Sequence, residues 1–271
     1  MIRAGLLGAL CLCLSWPSML WADAMLLIQG HLSHAQQWRH SGVAAALVQA
    51  GWQDGGHLHL SSQGVALHGP PREGEQQFYT ITLDTAAPLW VQQQQLTPYL
   101  RFLAGRHAGE ALHLVGHSAG GVVARLWLVQ HRQPEVASLI TLASPHLGTG
   151  LAELGRAVGS SPLAMMAPML GAGEFNRSQA LLVDLQREQS GNLLYWLNRQ
   201  VHPGIRYVAM IRDGDALVPP WSQDMGNVAA LRGRVERVAL SGGHALQAGD
   251  GWWLARLLAA TGTGEKVERG R

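Results

Sequence analysis

The chain has 271 residues, 47% hydrophobic and 14% charged, which is enough apolar material for one large core and excludes a disordered or solvating chain. A formal net charge of +2, with the Lys and Arg scattered, excludes a nucleic-acid footprint and a polybasic membrane patch. Both cysteines, Cys11 and Cys13, lie near the amino terminus, so the rest of the sequence carries no disulfide, thiolate metal site or cysteine nucleophile.

In chain order, Arg3 and the amino terminus precede an uncharged apolar run from Ala4 to Leu14, which Ser15, Trp16, Pro17 and Ser18 interrupt. Residues 1–22 therefore read as a Sec-type signal peptide, with export to the periplasm or beyond. Ala22-Asp23-Ala24 offers an A-x-A site that would extend the segment to 24, but the strand-like run that opens at Met25 favours a cut after Ala22. An uncleaved inner-membrane anchor is the rival reading, and Pro17 and the two serines weigh against it. Leu10 and Leu12 stand where lipidation of a cysteine would need small residues.

Short apolar runs then alternate with helical patterns, the signature of stacked βα units and a mostly parallel, doubly wound sheet with helices on both faces. Strands are expected at 25–29, 77–83, 111–115, 138–143, 206–211 and 235–240, and helices at 37–50, 89–105, 120–130 and 249–260. Several of the strands are continuous apolar runs, as strands covered on both faces must be. One domain is expected over 25–262, with a Leu-, Met- and Gly-rich insertion at about 146–202 that reads as a helical cap, and a flexible tail over 263–271. Met165, Met166, Met169 and Leu170 in that insertion either line an adaptable apolar surface or pack under a helix.

The run Gly116-His117-Ser118-Ala119-Gly120 lies between a β-type run and a helix-forming run, and that context gives a G-x-S-x-G pattern its meaning. Ser118 would occupy a sharp strand-to-helix turn, where Gly116 and Gly120 avoid collisions with the neighbouring chain. A serine hydroxyl needs a base within hydrogen-bond reach and a carboxylate to orient that base. Behind such an elbow the partners follow in the order Ser, Asp or Glu, His. Asp215 opens Asp-x-x-Val-Pro just past a strand and is the candidate carboxylate, with Asp213 as its rival; His244, on the glycine-rich loop after the last strand, is the candidate base. His146 also follows a strand end but violates the chain order, so it is expected to support a loop. His57, His59 and His68 fall in a polar connection without metal-ligand spacing and are expected at the surface. The oxyanion donors would be the backbone N–H of Ala119 and that of His31, after a turn at Gly30.

Together these segments resemble the lipase and esterase branch of the α/β-hydrolases, in particular the bacterial triacylglycerol-lipase-like and inositol-deacylase-like serine esterases. Gly116-His117-Ser118-Ala119-Gly120-Gly121 looks like the family's elbow, and Thr141-Leu142-Ala143-Ser144-Pro145-His146-Leu147-Gly148 is similar to its Thr-Leu-x-Thr-Pro-His-x-Gly segment. The resemblance, gapped, runs from Met25 to about Trp253. It implies an α/β-hydrolase fold, Ser118, Asp215 and His244 as a triad, and a small-molecule or lipid ester as substrate, with peripheral contact at a lipid interface; no cofactor is expected, and no metal, since no acidic cluster matches the calcium site of some relatives. Departures are Gln29-Gly30 where the family has His-Gly, His31 where it has an aromatic residue or leucine, and the apparent lack of a leading hairpin. A non-catalytic binding or folding-assistant protein on the same scaffold, and amide or thioester hydrolysis by the same residues, stay open as alternatives.

Overall fold

The structure is a computed structural model that describes residues 23–31, 33–69, 76–131, 135–150 and 172–262. The expected signal segment, Met165 to Leu170 and the tail from 263 lie outside the described residues. The elements in order are β1 (Ala24–Ile28), α1 (Gln37–His40), α2 (Val43–Gln49), β2 (Gln53–Ser61), β3 (Gly64–His68), β4 (Gln77–Ile81), α3 (Leu89–Arg106), β5 (Leu112–His117), α4 (Ala119–Gln130) and β6 (Val136–Leu142). They continue with α5 (Ala172–Asp184), α6 (Leu193–Leu197), β7 (Arg206–Arg212), α7 (Pro220–Gln223), β8 (Val235–Leu240) and α8 (Ala248–Gly262).

The strands form one eight-stranded sheet in the order β3-β2-β4-β1-β5-β6-β7-β8. Among the described residues only the β2–β3 pair is antiparallel. β1 and β4 are buried along their whole lengths, which explains why their sequences lack polar alternation. Successive side chains of a strand point to opposite faces. Leu26 and Ile28 thus join Leu114 and Leu139 in a core closed by α3 and α4, whereas Met25 and Leu27 join Val115, Ile140 and Met210 in a second core closed by α1, α2 and α8. Each such side chain removed from water contributes about 1.5–3 kcal/mol.

The chain leaves β1 toward one edge of the sheet and returns at β5 toward the other, so the strand order reverses between β1 and β5. In open α/β sheets the crevice outside the carboxyl ends of the strands at such a reversal is where ligands bind. Ser118 directly follows β5, and Gly30 lies two residues beyond the end of β1.

Two expectations are corrected. The polar connection that carries His57, His59 and His68 is a β-hairpin, β2 and β3, which supplies the sheet's antiparallel edge. It escapes a hydrophobicity reading because half-buried His57 and His59 flank buried Leu58, and because its turn is closed by Ser61, whose side chain accepts from Gln63 N–H and donates to Gly64 O, rather than by Asn-Gly. The single helix expected over 37–50 is two, broken at Gly42, whose φ of 84° belongs to the left-handed region.

Candidate active site

β5 runs straight into α4, and the single residue between them is Ser118, with φ 52° and ψ −129°. A non-glycine residue held at positive φ is strained, and here the surroundings enforce it. A Cβ at Gly120 would lie 2.5 Å from Gln29 O and 2.6 Å from Ile28 O, and one at Gly116 would lie 2.4 Å from the Gly121 backbone. The elbow is thus wedged between its own helix and the end of β1. Gly30 passes over it so closely that a Cβ there would sit 2.8 Å from Ser118 Cβ. The turn leaves Ser118 half-buried while Ala119 is buried at the amino end of α4. The first amides of a helix have no intrahelical partner and carry its positive dipole, so Ala119 N–H is available to an anion beside Ser118.

Asp215 and His244 come from the two loops that follow β7 and β8. His244 Nε2 lies 2.9 Å from Ser118 Oγ, and His244 Nδ1 lies 2.7 Å from Asp215 Oδ2. The Asp215 side chain is inaccessible to solvent, and its other oxygen accepts from the N–H groups of Leu217 and Val218 at 2.8 and 3.0 Å. Burial pushes the Asp215 carboxyl up, but the hydrogen bond and charge of His244, with those two amides, outweigh it and hold the group below the usual carboxylate range. Asp215 therefore stays ionised and fixes the proton of His244 on Nδ1, which leaves the Nε2 lone pair facing Ser118. Asp213 is exposed, two residues earlier, with its N–H on Leu240 O.

Several residues that sequence reasoning did not single out hold these loops. Gln223, buried on α7, accepts from Arg212 N–H at 2.7 Å and donates to Val218 O at 2.6 Å and Asp215 Oδ2 at 3.3 Å. Arg212 donates from Nη2 to both oxygens of buried Asp250 at 2.6 Å and from Nη1 to Ser241 O, while Asp250 accepts from Gln247 N–H, so both ends of the His244 loop are tied to β7 and α8. His117, between Gly116 and Ser118, places Nε2 2.8 Å from the main-chain oxygen of His244. No local pattern marks these residues, since their partners are distant in sequence.

His31 is half-buried, and its ring Nε2 lies 2.9 Å from Ser178 Oγ on α5. Burial lowers its pKa to about 4, so the ring is neutral. His146 is fully buried away from this constellation, with Nε2 3.1 Å from Thr141 Oγ1 and its carbonyl accepting from Arg125 and Asn198. His57 bonds Thr80 and Thr82, and His59 stacks on His68 with ring centroids 4.5 Å apart. Among the described residues no group of three or more His, Cys, Asp or Glu is disposed to hold a metal ion.

A parallel sheet with a strained serine at its reversal point, hydrogen-bonded to a histidine and through it to an aspartate, is the arrangement of the serine-type hydrolases. The comparisons agree on the fold. Residues 93–154 match the model of the PGAP1-like alpha/beta domain. The product of the lin2722 gene of Listeria innocua is similar with a TM-score of 0.60 at 11% identity, over 92% of this chain and 96% of that one. Lipase BlEst2 of Bacillus licheniformis in its mature form gives 0.58 at 15% identity, over 88% and 92%, and carboxylesterase CesB of Bacillus subtilis gives 0.55 at 10%, over 90% and 85%. No curated protein matches the sequence. The chain has the α/β-hydrolase fold.

Proposed function

We propose that the protein is an exported serine esterase that cleaves carboxylic esters of lipid or acylglycerol type through an acyl-enzyme on Ser118. The observation that carries this reading is the continuous hydrogen-bonded chain from Ser118 Oγ through both ring nitrogens of His244 to Asp215. His244 Nε2 takes the hydroxyl proton as Ser118 Oγ attacks the ester carbonyl, and Asp215 stabilises the imidazolium. The oxyanion rests on the backbone N–H groups of Ala119 and His31. Collapse returns the proton from His244 to the leaving alcohol. Water, deprotonated by the same nitrogen, then attacks the acyl carbonyl and frees the carboxylic acid and Ser118.

Two of the similar structures are described as a lipase and a carboxylesterase, which supports an ester over an amide. The start of sheet pairing supports a cut after Ala22 over one after Ala24: Asp23 O accepts from Gln77 N–H at 3.0 Å and Ala24 N–H donates to Ala111 O at 2.9 Å. A signal peptidase cut after Ala22 preserves both bonds, and one after Ala24 removes them.

Ser118→Ala is expected to lose at least about 10⁴-fold in hydrolysis of p-nitrophenyl esters, together with all covalent labelling by a fluorophosphonate. An unaltered protein that neither turns over esters from C2 to C16 nor reacts with the phosphonate would show the scaffold to be non-catalytic. Activity that rises when long-chain esters form an interface would mark a lipase.

A further inference from the structure

His117, the residue before Ser118, is buried and touches the loop of His244. Residue 117 shares a strand face with Val115, so its ring enters the core closed by α1, α2 and α8 and meets Trp38 edge-on, with centroids 6.4 Å apart. Its Nε2 lies 2.8 Å from His244 O. A carbonyl only accepts, so Nε2 carries the hydrogen and donates, which makes Nδ1 a bare acceptor. Nδ1 is buried and has no partner among the described residues.

Leaving a buried nitrogen unpaired is unfavourable. If residue 117 served only to fill space beside Trp38 and Val115, an apolar side chain would do so without that loss. What a histidine adds is the Nε2–H bond to His244. The charged and titratable groups that face the ring are His244, Arg212 and Asp215. Burial, reinforced by His244, lowers the His117 pKa to about 3. Its ring therefore stays neutral, and keeps the donating tautomer, while the neighbouring His244 gains and loses a proton.

Two consecutive residues of the elbow thus grip the same histidine. Ser118 meets its ring and His117 its main chain. His244 is thus held at its carbonyl by His117 and at its ring nitrogens by Ser118 and Asp215.

We infer that His117 is a positioning residue that holds the main chain of His244 and thereby sets the distance from its ring to Ser118 Oγ. The inference rests on the reading of His244 as the base for Ser118. It gives the residue before the nucleophile a role in placing the base, 127 positions further along the chain.

The test compares His117→Gln, whose amide N–H reaches about as far from the backbone as Nε2–H does, with His117→Phe and His117→Leu, which fill the space without a donor. On a short-chain p-nitrophenyl ester the apolar variants are expected to lose about ten- to hundredfold in kcat with KM within about twofold, because a small misplacement of a reacting group is costly. Fluorophosphonate labelling should slow by the same factor, and the low-field proton resonance of the His244–Asp215 bond should shift or vanish. His117→Gln should restore kcat to within about threefold of the unaltered protein and keep the resonance, as expected for a retained donor. If an apolar variant labels at the unaltered rate, the positioning role is overturned while the serine-hydrolase reading stands. If both apolar variants fail to fold, a folded His117→Gln that has lost more than about tenfold overturns it as well. Failure of the unaltered protein to label overturns the hydrolase reading itself.

Discussion

Ser118 and His244 stand 2.9 Å apart, but the chain delivers them by different means. The elbow is a local object: a strand, one strained residue and a helix, shaped by glycines within two or three positions that let main chains approach to contact. The loop that carries His244 has no comparable local constraint. It is held by a buried ion pair from β7 to α8, by a carbonyl bond to His117, and by Leu246 packed into the core beneath it. Sterics enforce one half of the site and polar bonds made across the fold enforce the other. The first should be brittle to added atoms, and the second to the loss of a partner.

The largest effect should fall on the link between the halves. Asp215→Asn leaves the geometry nearly intact but lets His244 adopt the wrong tautomer, and kcat is expected to fall about 10³–10⁴-fold, whereas Asp213→Asn stays within about twofold. Equal losses in the two variants would move the carboxylate role.

Breaking the polar half comes next. Arg212→Met leaves Asp250 buried without its partner and is expected to cost about 3–5 kcal/mol, seen as a drop in Tm of roughly 10 °C for a domain of this size. Ester turnover by the still-folded protein should fall with it, since Ser241 O loses its donor. Breaking the steric half by Gly120→Ala, which presses a methyl on the carbonyls of Ile28 and Gln29, is expected to cost about 1–3 kcal/mol and to abolish labelling of Ser118. A Gly120→Ala protein that labels normally would show the elbow to be softer than its contacts imply.

The broadest effect, and the one furthest from the chemistry, is on acid stability. Burial lowers the pKa values of His31 and His202 to about 4 and that of His117 to about 3, from an unfolded value of 6.5. A group whose folded pKa is depressed contributes its full stability above the unfolded pKa and loses it as pH falls. Tm should therefore hold above pH 6.5 and decline as pH falls, through about pH 4 for His31 and His202 and about pH 3 for His117, by the equivalent of a few kcal/mol. At the acid end of that window the depressed Asp215 carboxyl adds to the loss. His117→Gln should flatten part of the decline, and a Tm independent of pH across that window would mean that these histidines are hydrated.

Much of the central sheet was legible because its strands are apolar on both faces and separated by helical periodicity. β1, β4, β5, β6 and β7 lie where apolar runs placed them, to within a few residues, and so does β8, an edge strand whose valines flank exposed Glu236 and Arg237. The hairpin of β2 and β3 was not legible, because an edge with one solvated face tolerates His57, His59 and Ser61 and so resembles a loop in composition. Of the site, Ser118, Asp215 and His244 could be nominated from a local motif and a chain order. Gln223, Arg212 and Asp250 could not, since each acts through a bond to a loop that its own neighbourhood does not mention.

What the sequence determined by itself is whatever depends on near neighbours: the elbow, since a small set of adjacent glycines decides whether a strand can turn into a helix around Ser118, and the alternation that builds the parallel sheet. The tertiary structure decided which side chains meet. It set Asp215 rather than Asp213 against the histidine, turned a string of polar histidines into a sheet edge, and laid His117 under the carbonyl of His244. The physical reason is range. Backbone sterics and periodicity act over a few residues, whereas a hydrogen bond acts over about 3 Å between any two groups that the packed core happens to bring together.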